Sequence, residues 1–360
     1  MTTSADLTTR RSEGRDTAER LPALTLNLRR FDWFVTVLSF WFTAGLFLDG
    51  WAHTHGQADQ TFFTPWHAVL YSGQLAVTGY LLIAFARNVA RGYAWRDALP
   101  AGYGLSLIGG ILFAIGGLGD LIWHTLFGIE QNVAALFSPT HLLLAVAGLL
   151  IVSGPLRAAW QRDDDHAPRL VDQLPAILSA SFVLSMLTFF TQIAHPLANL
   201  WGIGASQASH QLEEQGVLSF LLDTVIYLGM ILLLMRRWTL APGALSVFFA
   251  INAVAMGFLL PGAEGSYPIG LVIARIIAGV AIDLLYQRLQ PSVQHLSALR
   301  VFAVVVPLIV GSLYFVAGQL IAGIAWSIHL WLGSIVMAGI AGLLISYVSA
   351  PPHLADATIG

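Results

Sequence analysis

The chain contains no cysteine and no lysine. Without cysteine there is no disulfide framework, no thiolate metal ligand and no C-x-x-C-H haem attachment. Without lysine, all 17 basic residues are arginine. Charge of either sign is scarce: 10% of the 360 residues are charged, against about 25% in soluble domains. A pI near 6.4 speaks against a nucleic-acid partner. The sequence also has no P-loop, no H-E-x-x-H and no G-x-S-x-G, so it carries no signature of nucleotide binding, zincin or serine-hydrolase chemistry.

What fills the chain instead is apolar. Hydrophobic residues make up 56%, and the mean hydropathy is +0.72. Continuous apolar runs recur from residue 31 to 350, each long enough at ~1.5 Å per residue to cross a hydrocarbon core of ~30 Å. The runs do not alternate polar with apolar, which excludes strands of a membrane barrel. The expected fold is therefore all-α and polytopic, with about ten transmembrane helices. They are expected at 31–50, 66–88, 101–124, 140–160, 176–195, 217–236, 240–260, 270–289, 299–320 and 326–349. Residues 1–30 read as a disordered cytoplasmic tail, 31–350 as a single membrane domain and 351–360 as a short cytoplasmic tail. The first span reads as an uncleaved signal anchor, because the tail before it lacks an apolar h-region.

Arginine sets the orientation. Arg10, Arg11, Arg15, Arg20, Arg29 and Arg30 precede the first span, and every other cluster falls in alternate loops: Arg87, Arg91 and Arg96; Arg157, Arg162 and Arg169; Arg236 and Arg237; Arg288 and Arg300. By the positive-inside rule both termini are cytoplasmic in a cell (inner) membrane. Only Arg275 lies within a span, where Glu264 or Asp223 is the expected partner. Asp283 is expected to pair with Arg288 or to face lipid headgroups. Gly109–Gly110 and Gly116–Gly117 read as close helix packing.

Eight of the eleven histidines fall on the opposite, outer side. Five of them belong to a segment that occurs twice. Residues 49–67 read D-G-W-A-H-T-H…F-T-P-W-H, and residues 120–141 read D-L-I-W-H-T…F-S-P-T-H. The shared form is D-x3-H-T, a gap, then F-[ST]-P-x-H. Each copy bridges the end of one span and the start of the next, so an internal duplication of the helical hairpin is expected, over 31–88 and 101–160. In D-x3-H the two side chains share a helix face one turn apart. The proline suits the first turn of the next helix, where its missing N–H costs nothing, and Thr64 and Ser138 stand where N-caps would. Each hairpin should thus bring an Asp, a His and a second His together.

Carboxylates at the edge of a membrane are costly and usually functional. Two carboxylates and four imidazoles at matched positions have the composition of a metal site. The expected ligands are Asp49, His53 and His67 with Asp120, His124 and His141, and His55 and His195 are further candidates. A weaker third copy is read at Gln192, His195 and Pro196, with His210, Glu213 and Glu214 in the loop beyond. Imidazole and carboxylate without sulfur suit copper(II), zinc, iron or nickel. Copper is favoured, because an outward-facing site sees oxidising conditions.

The D-x3-H…H arrangement is similar to the metal-binding motif of the C subunit of the copper membrane monooxygenases (methane and ammonia monooxygenases). That resemblance covers only these short stretches. It implies copper held by an Asp and a His one turn apart and a second His on the next helix, here Asp49, His53 and His67, with Asp120, His124 and His141 as a second set. The expected function is a membrane-embedded oxidative metalloenzyme acting on a small apolar or lipid-like substrate. Two alternatives stay open: a metal uptake or delivery protein, and a membrane haem protein with bis-histidine ligation, for which His67/His141 or His53/His124 would serve.

Overall fold

The computed structural model describes residues 27–57, 62–128, 133–162, 169–204, 209–260 and 267–351. Most of the N-terminal tail, the tail beyond residue 351, and Glu264, His166 and His353 lie outside the described residues. Twelve α-helices make up the described chain: α1 (Leu28–Thr54), α2 (Pro65–Ala90), α3 (Gly104–Phe127), α4 (Val133–Phe137), α5 (Pro139–Val152), α6 (Gly154–Trp160), α7 (Leu170–Phe190), α8 (His210–Arg237), α9 (Ala244–Phe258), α10 (Tyr267–Leu289), α11 (Leu296–Ile321) and α12 (Ile328–Ser349). Among the described residues there is no strand, only isolated β-bridges such as Ile203 with Ile324.

Every apolar run read from the sequence folds as helix. Eight helices are long and apolar enough to cross a membrane: α1, α2, α3, α7, α8, α10, α11 and α12. The fourth run is broken into α5 and α6, bent by 47°. Pro155, in the first turn of α6, has no N–H to continue the ladder of α5. The seventh is α9, only 15 residues, or ~22 Å at 1.5 Å per residue. The sixth starts earlier than expected. Ser209 accepts the Leu212 N–H at 3.3 Å and starts α8 at His210, so Glu213 and Glu214 belong to a helix and not to a loop.

Small residues set how the hairpins close. A Cβ on Gly45 would stand 2.7 Å from the Leu70 Cα, and one on Gly73 would stand 2.8 Å from the Phe42 Cα. Only glycine lets α1 and α2 approach this closely. In α3 and α5 a Cβ on Gly116 would meet Leu144 at 2.9 Å, and one on Gly109 would meet the Ala147 carbonyl at 2.7 Å. Gly45 and Gly116 each lie one turn before the Asp of their motif. Leu70 and Leu144 each lie one turn after its second His. The matching glycine and leucine therefore meet in both copies, through the Leu70 backbone in the first and the Leu144 side chain in the second.

The arginine-bearing helix ends are knit together. Asp32 accepts from the Tyr103 hydroxyl at 2.6 Å and pairs with Arg162 at 2.6 Å. Burial, with the Asp32 charge beside it, holds the Tyr103 phenol above its ordinary range. Arg29 pairs with Asp172 at 2.8 Å, and Arg237 donates to the Trp160 carbonyl at 3.0 Å.

Between the ends, Arg275 forks onto Asp223 at 2.8 and 3.1 Å, so Asp223 is the partner used. Both side chains are buried, and the rings of Tyr227 and Phe249 stand 4.8 and 5.3 Å from the guanidinium. Asp283 pairs neither with Arg288 nor with headgroups. It is buried and accepts the backbone N–H of Gly243 at 3.1 Å and of Ser246 at 3.0 Å. These are donors at the start of α9, which otherwise have no partner within their own helix.

Candidate metal centre

The local sequence places the candidate ligands as its spacing implies. Asp49 and His53 lie in the last two turns of α1, and Asp120 and His124 in the last two of α3. Pro65 and Pro139 open α2 and α5. The Thr64 hydroxyl accepts the His67 N–H at 3.1 Å, and the Ser138 hydroxyl accepts the His141 N–H at 3.3 Å. The capped first turn turns His67 back towards Asp49 on α1 and His141 back towards Asp120 on α3.

Two triads result. In the first, His53 Nε2 lies 3.9 Å and His67 Nε2 3.4 Å from the Asp49 carboxylate. In the second, His124 Nε2 lies 3.2 Å and His141 Nε2 3.5 Å from the Asp120 carboxylate. Within each triad one ligand atom per residue lies within 4.8 Å of the other two. Ligands at ~2.0–2.2 Å from one tetrahedral ion stand ~3.3 Å apart, which falls inside the observed range of separations. Each Asp lies within 4 Å of both histidines of its own copy.

The second ring nitrogens decide what the first ones can do. His67 Nδ1 donates to the Phe62 carbonyl at 2.5 Å, and His124 Nδ1 donates to the Gly128 carbonyl at 3.4 Å. A carbonyl only accepts, so Nδ1 carries the hydrogen and Nε2 of a neutral ring presents a lone pair. That lone pair faces a carboxylate oxygen, which also only accepts. Two acceptors at this distance call for something between them: a metal ion, or a proton carried by the ring or by the carboxyl group. Imidazole held by an Nδ1–H···O=C bond with Nε2 free is also how metal-ligating histidines are oriented. His141 Nδ1 meets the Ser138 hydroxyl at 2.8 Å.

The triads are neighbours. α2 and α3 pack directly, with the Gln74 side-chain amide donating to the Gly110 carbonyl at 2.8 Å. The Phe62 ring lies 4.9 Å from that of His67 and 6.5 Å from that of His124, so one ring separates histidines of the two copies. Tyr71, one turn below His67, rests on α3 at Gly117, where a Cβ would meet its hydroxyl at 2.6 Å. Asp49 lies within electrostatic reach of both Asp120 and His141.

The other histidines stand apart. His55 stacks on Trp51 at 4.8 Å, and its Nδ1 meets the Trp51 carbonyl at 2.9 Å, outside either triad. His195 follows α7 in a buried non-helical segment. Its Nδ1 accepts the Leu197 N–H at 3.2 Å, which leaves the hydrogen on Nε2. That nitrogen stands 3.3 Å from Asp223, off the angle of a hydrogen bond. The protonation pattern is the reverse of that of His67, and it leaves no lone pair for a metal. His210 is fully exposed beside Glu213, at 3.4 Å, and no third group of three such ligands occurs among the described residues.

Three contributors were not read from the sequence: Phe62, Tyr71 and Thr140. Thr140 fills the variable position of F-[ST]-P-x-H, and its hydroxyl donates to Asp120 Oδ1 at 2.7 Å. A threonine one residue before the motif's last histidine was the available signal. No protein-family model, no curated protein and no solved structure matches this chain.

Proposed function

We propose that each triad binds one metal ion at the outer face of the membrane, and that the protein is an oxidative, copper-type metalloenzyme acting on a small apolar or lipid-like substrate. The observation that carries the metal reading is the histidine geometry. Nδ1–H is committed to a backbone carbonyl while Nε2 faces a carboxylate, in one ring of each copy. The matched hairpins, with a glycine one turn before each Asp facing the leucine one turn after each second His, support a duplication as the origin of the two sites. The arginine-rich helix ends lie opposite the triads, which supports an outward site by the positive-inside rule.

Three protein ligands leave coordination positions open, as in catalytic and not structural metal sites. A bound ion would supply Lewis-acid or redox chemistry there. The chain's own residues would hold it, and Phe62 and Tyr71 would wall it from the neighbouring site. Nitrogen and oxygen ligands with no sulfur favour copper(II), with zinc or iron as alternatives. A haem held by His67/His141 or His53/His124 is disfavoured, because each of these four histidines turns its Nε2 to the aspartate of its own copy.

The alternative reading is metal uptake or delivery. Ion passage needs polar steps across the bilayer. Several buried hydroxyls instead donate to carbonyls of their own helices, such as Thr36 to Asp32, Thr43 to Ser39, Ser181 to Ile177 and Thr224 to Phe220. That favours a fixed site over a path. The test is metal content by ICP-MS with an optical spectrum on detergent-purified protein exposed to copper, zinc and iron, followed by metal-dependent oxygen consumption with small apolar substrates and a reductant. One ion per triad with substrate-dependent oxygen uptake supports the enzyme. Bound ions without oxygen chemistry shift the reading to delivery, and a metal-free protein ends it.

A further inference from the structure

The two triads match in ligand order and differ in their surroundings. The Asp120 side chain is 2% exposed and the Asp49 side chain 14%. His124 is 10% exposed, whereas its counterpart His53 is 40%. The outer support of the carboxylates differs more. Thr140 donates its hydroxyl to Asp120 at 2.7 Å. At the same place in the first copy stands Trp66, whose indole N–H turns away to the Gln57 carbonyl at 3.3 Å. Among the described residues no hydroxyl or backbone N–H donates to Asp49.

A hydrogen bond to a ligating carboxylate fixes which lone pair faces the ion, and losing such support costs roughly 10–100-fold in metal affinity. Burial of Asp120 and His124 adds to the difference, because water competes less for an enclosed ion; His141, 24% exposed against 15% for His67, runs the other way. The first triad is also flanked by a cluster of rings at the helix end: Trp51 lies 5.8 Å from Trp66 and 5.9 Å from Phe258. Amphipathic aromatics of this kind gather at a membrane–water boundary.

From these differences we infer that the triads are unequal sites: the Asp120 triad retains its ion, and the Asp49 triad exchanges its own and is where an incoming ion or substrate is met. This rests on the metal reading above. Because Asp49 is within electrostatic reach of Asp120 and His141, a cation on the second triad is felt at the first and weakens it further.

The test is chelator-driven release from full-length protein loaded with copper(II), followed by absorbance. The expected record has two phases of equal amplitude, with rates at least about tenfold apart. His53→Ala removes the fast phase and His124→Ala the slow one. Thr140→Val keeps both ions and speeds the slow phase by about tenfold or more. Trp66→Thr, which puts a hydroxyl at the matching position, slows the fast phase. A single phase in the wild-type protein overturns the inference, as does loss of the slow phase in His53→Ala, and both leave the metal reading standing. Failure of the wild-type protein to bind any copper overturns the two together.

Discussion

His67 presents its Nε2 to the Asp49 carboxylate at 3.4 Å across the gap between α1 and α2, while its Nδ1 is committed to the Phe62 carbonyl. The ring cannot donate in both directions unless it is charged, so the pairing needs a metal ion, or a proton on the ring or the carboxyl, between the two. Removing the aspartate removes one ligand of that metal ion. Asp49→Ala and His124→Ala should each leave about one ion per chain where the wild-type protein is expected to hold two. Expression should be nearly unchanged, because neither side chain joins the apolar core. ICP-MS on the purified variants reads the outcome, and full metal content in both would sink the ligand assignment.

The histidines outside the triads should be silent in the same measurement. His55→Ala and His195→Gln are expected to retain both ions, since His55 stacks on Trp51 and the Nδ1 of His195 accepts from Leu197. A lost ion in either variant would mean that the triads are incomplete as described.

Helix spacing should control the first site alone. Gly45→Val sets a branched side chain against the Leu70 backbone, where even a Cβ would lie 2.7 Å away. Backbone cannot yield as a side-chain tip can, so overpacking of about 1–3 kcal/mol is expected, with α1 and α2 forced apart. The ion of the Asp49 triad should go and that of the Asp120 triad should stay. Uniform loss of both would show that the hairpins do not respond separately.

Stability and metal content should separate at Asp223. Asp223→Asn leaves the buried Arg275 guanidinium without its charge partner, a change that typically costs about 3–5 kcal/mol. The thermal midpoint in detergent should fall while two ions remain bound. Replacing the pair together, as Asp223→Leu with Arg275→Met, should recover much of the loss. An unchanged midpoint in the single variant would show that the pair contributes little.

Much of this was legible in the sequence because the signals are local. A helix end, a cap, a proline at the first turn and a four-residue spacing each depend on neighbours in the chain, and Asp49, His53, His67, Asp120, His124 and His141 all follow from them. The Arg275–Asp223 pair was legible because a charge within a span needs a partner and few were on offer. What was not legible depends on packing between distant segments. Asp283 satisfies the start of α9, 37 to 40 residues before it in the chain, and no spacing rule reaches that far. The nearness of the two triads depends on Tyr71 fitting over Gly117. The start of α8 was missed because a polar, histidine-bearing first turn reads as loop until its Ser209 cap is recognised.

The short α9 has a consequence for the surrounding bilayer. Fifteen residues match hydrocarbon only ~22 Å thick, less than the ~30 Å of an ordinary core. Val254 and Phe258 on this helix are exposed, so lipid meets it directly. Hydrophobic mismatch of this kind is absorbed by tilt or by local thinning, at fractions of a kcal/mol per ångström. Phe258 stacks on Trp51, two residues beyond Asp49, so the end of α9 packs beside that triad. Were α9 to cross the bilayer with its neighbours, headgroups there would sit closer to the midplane, and metal occupancy of the Asp49 triad should then vary with the thickness of the surrounding membrane.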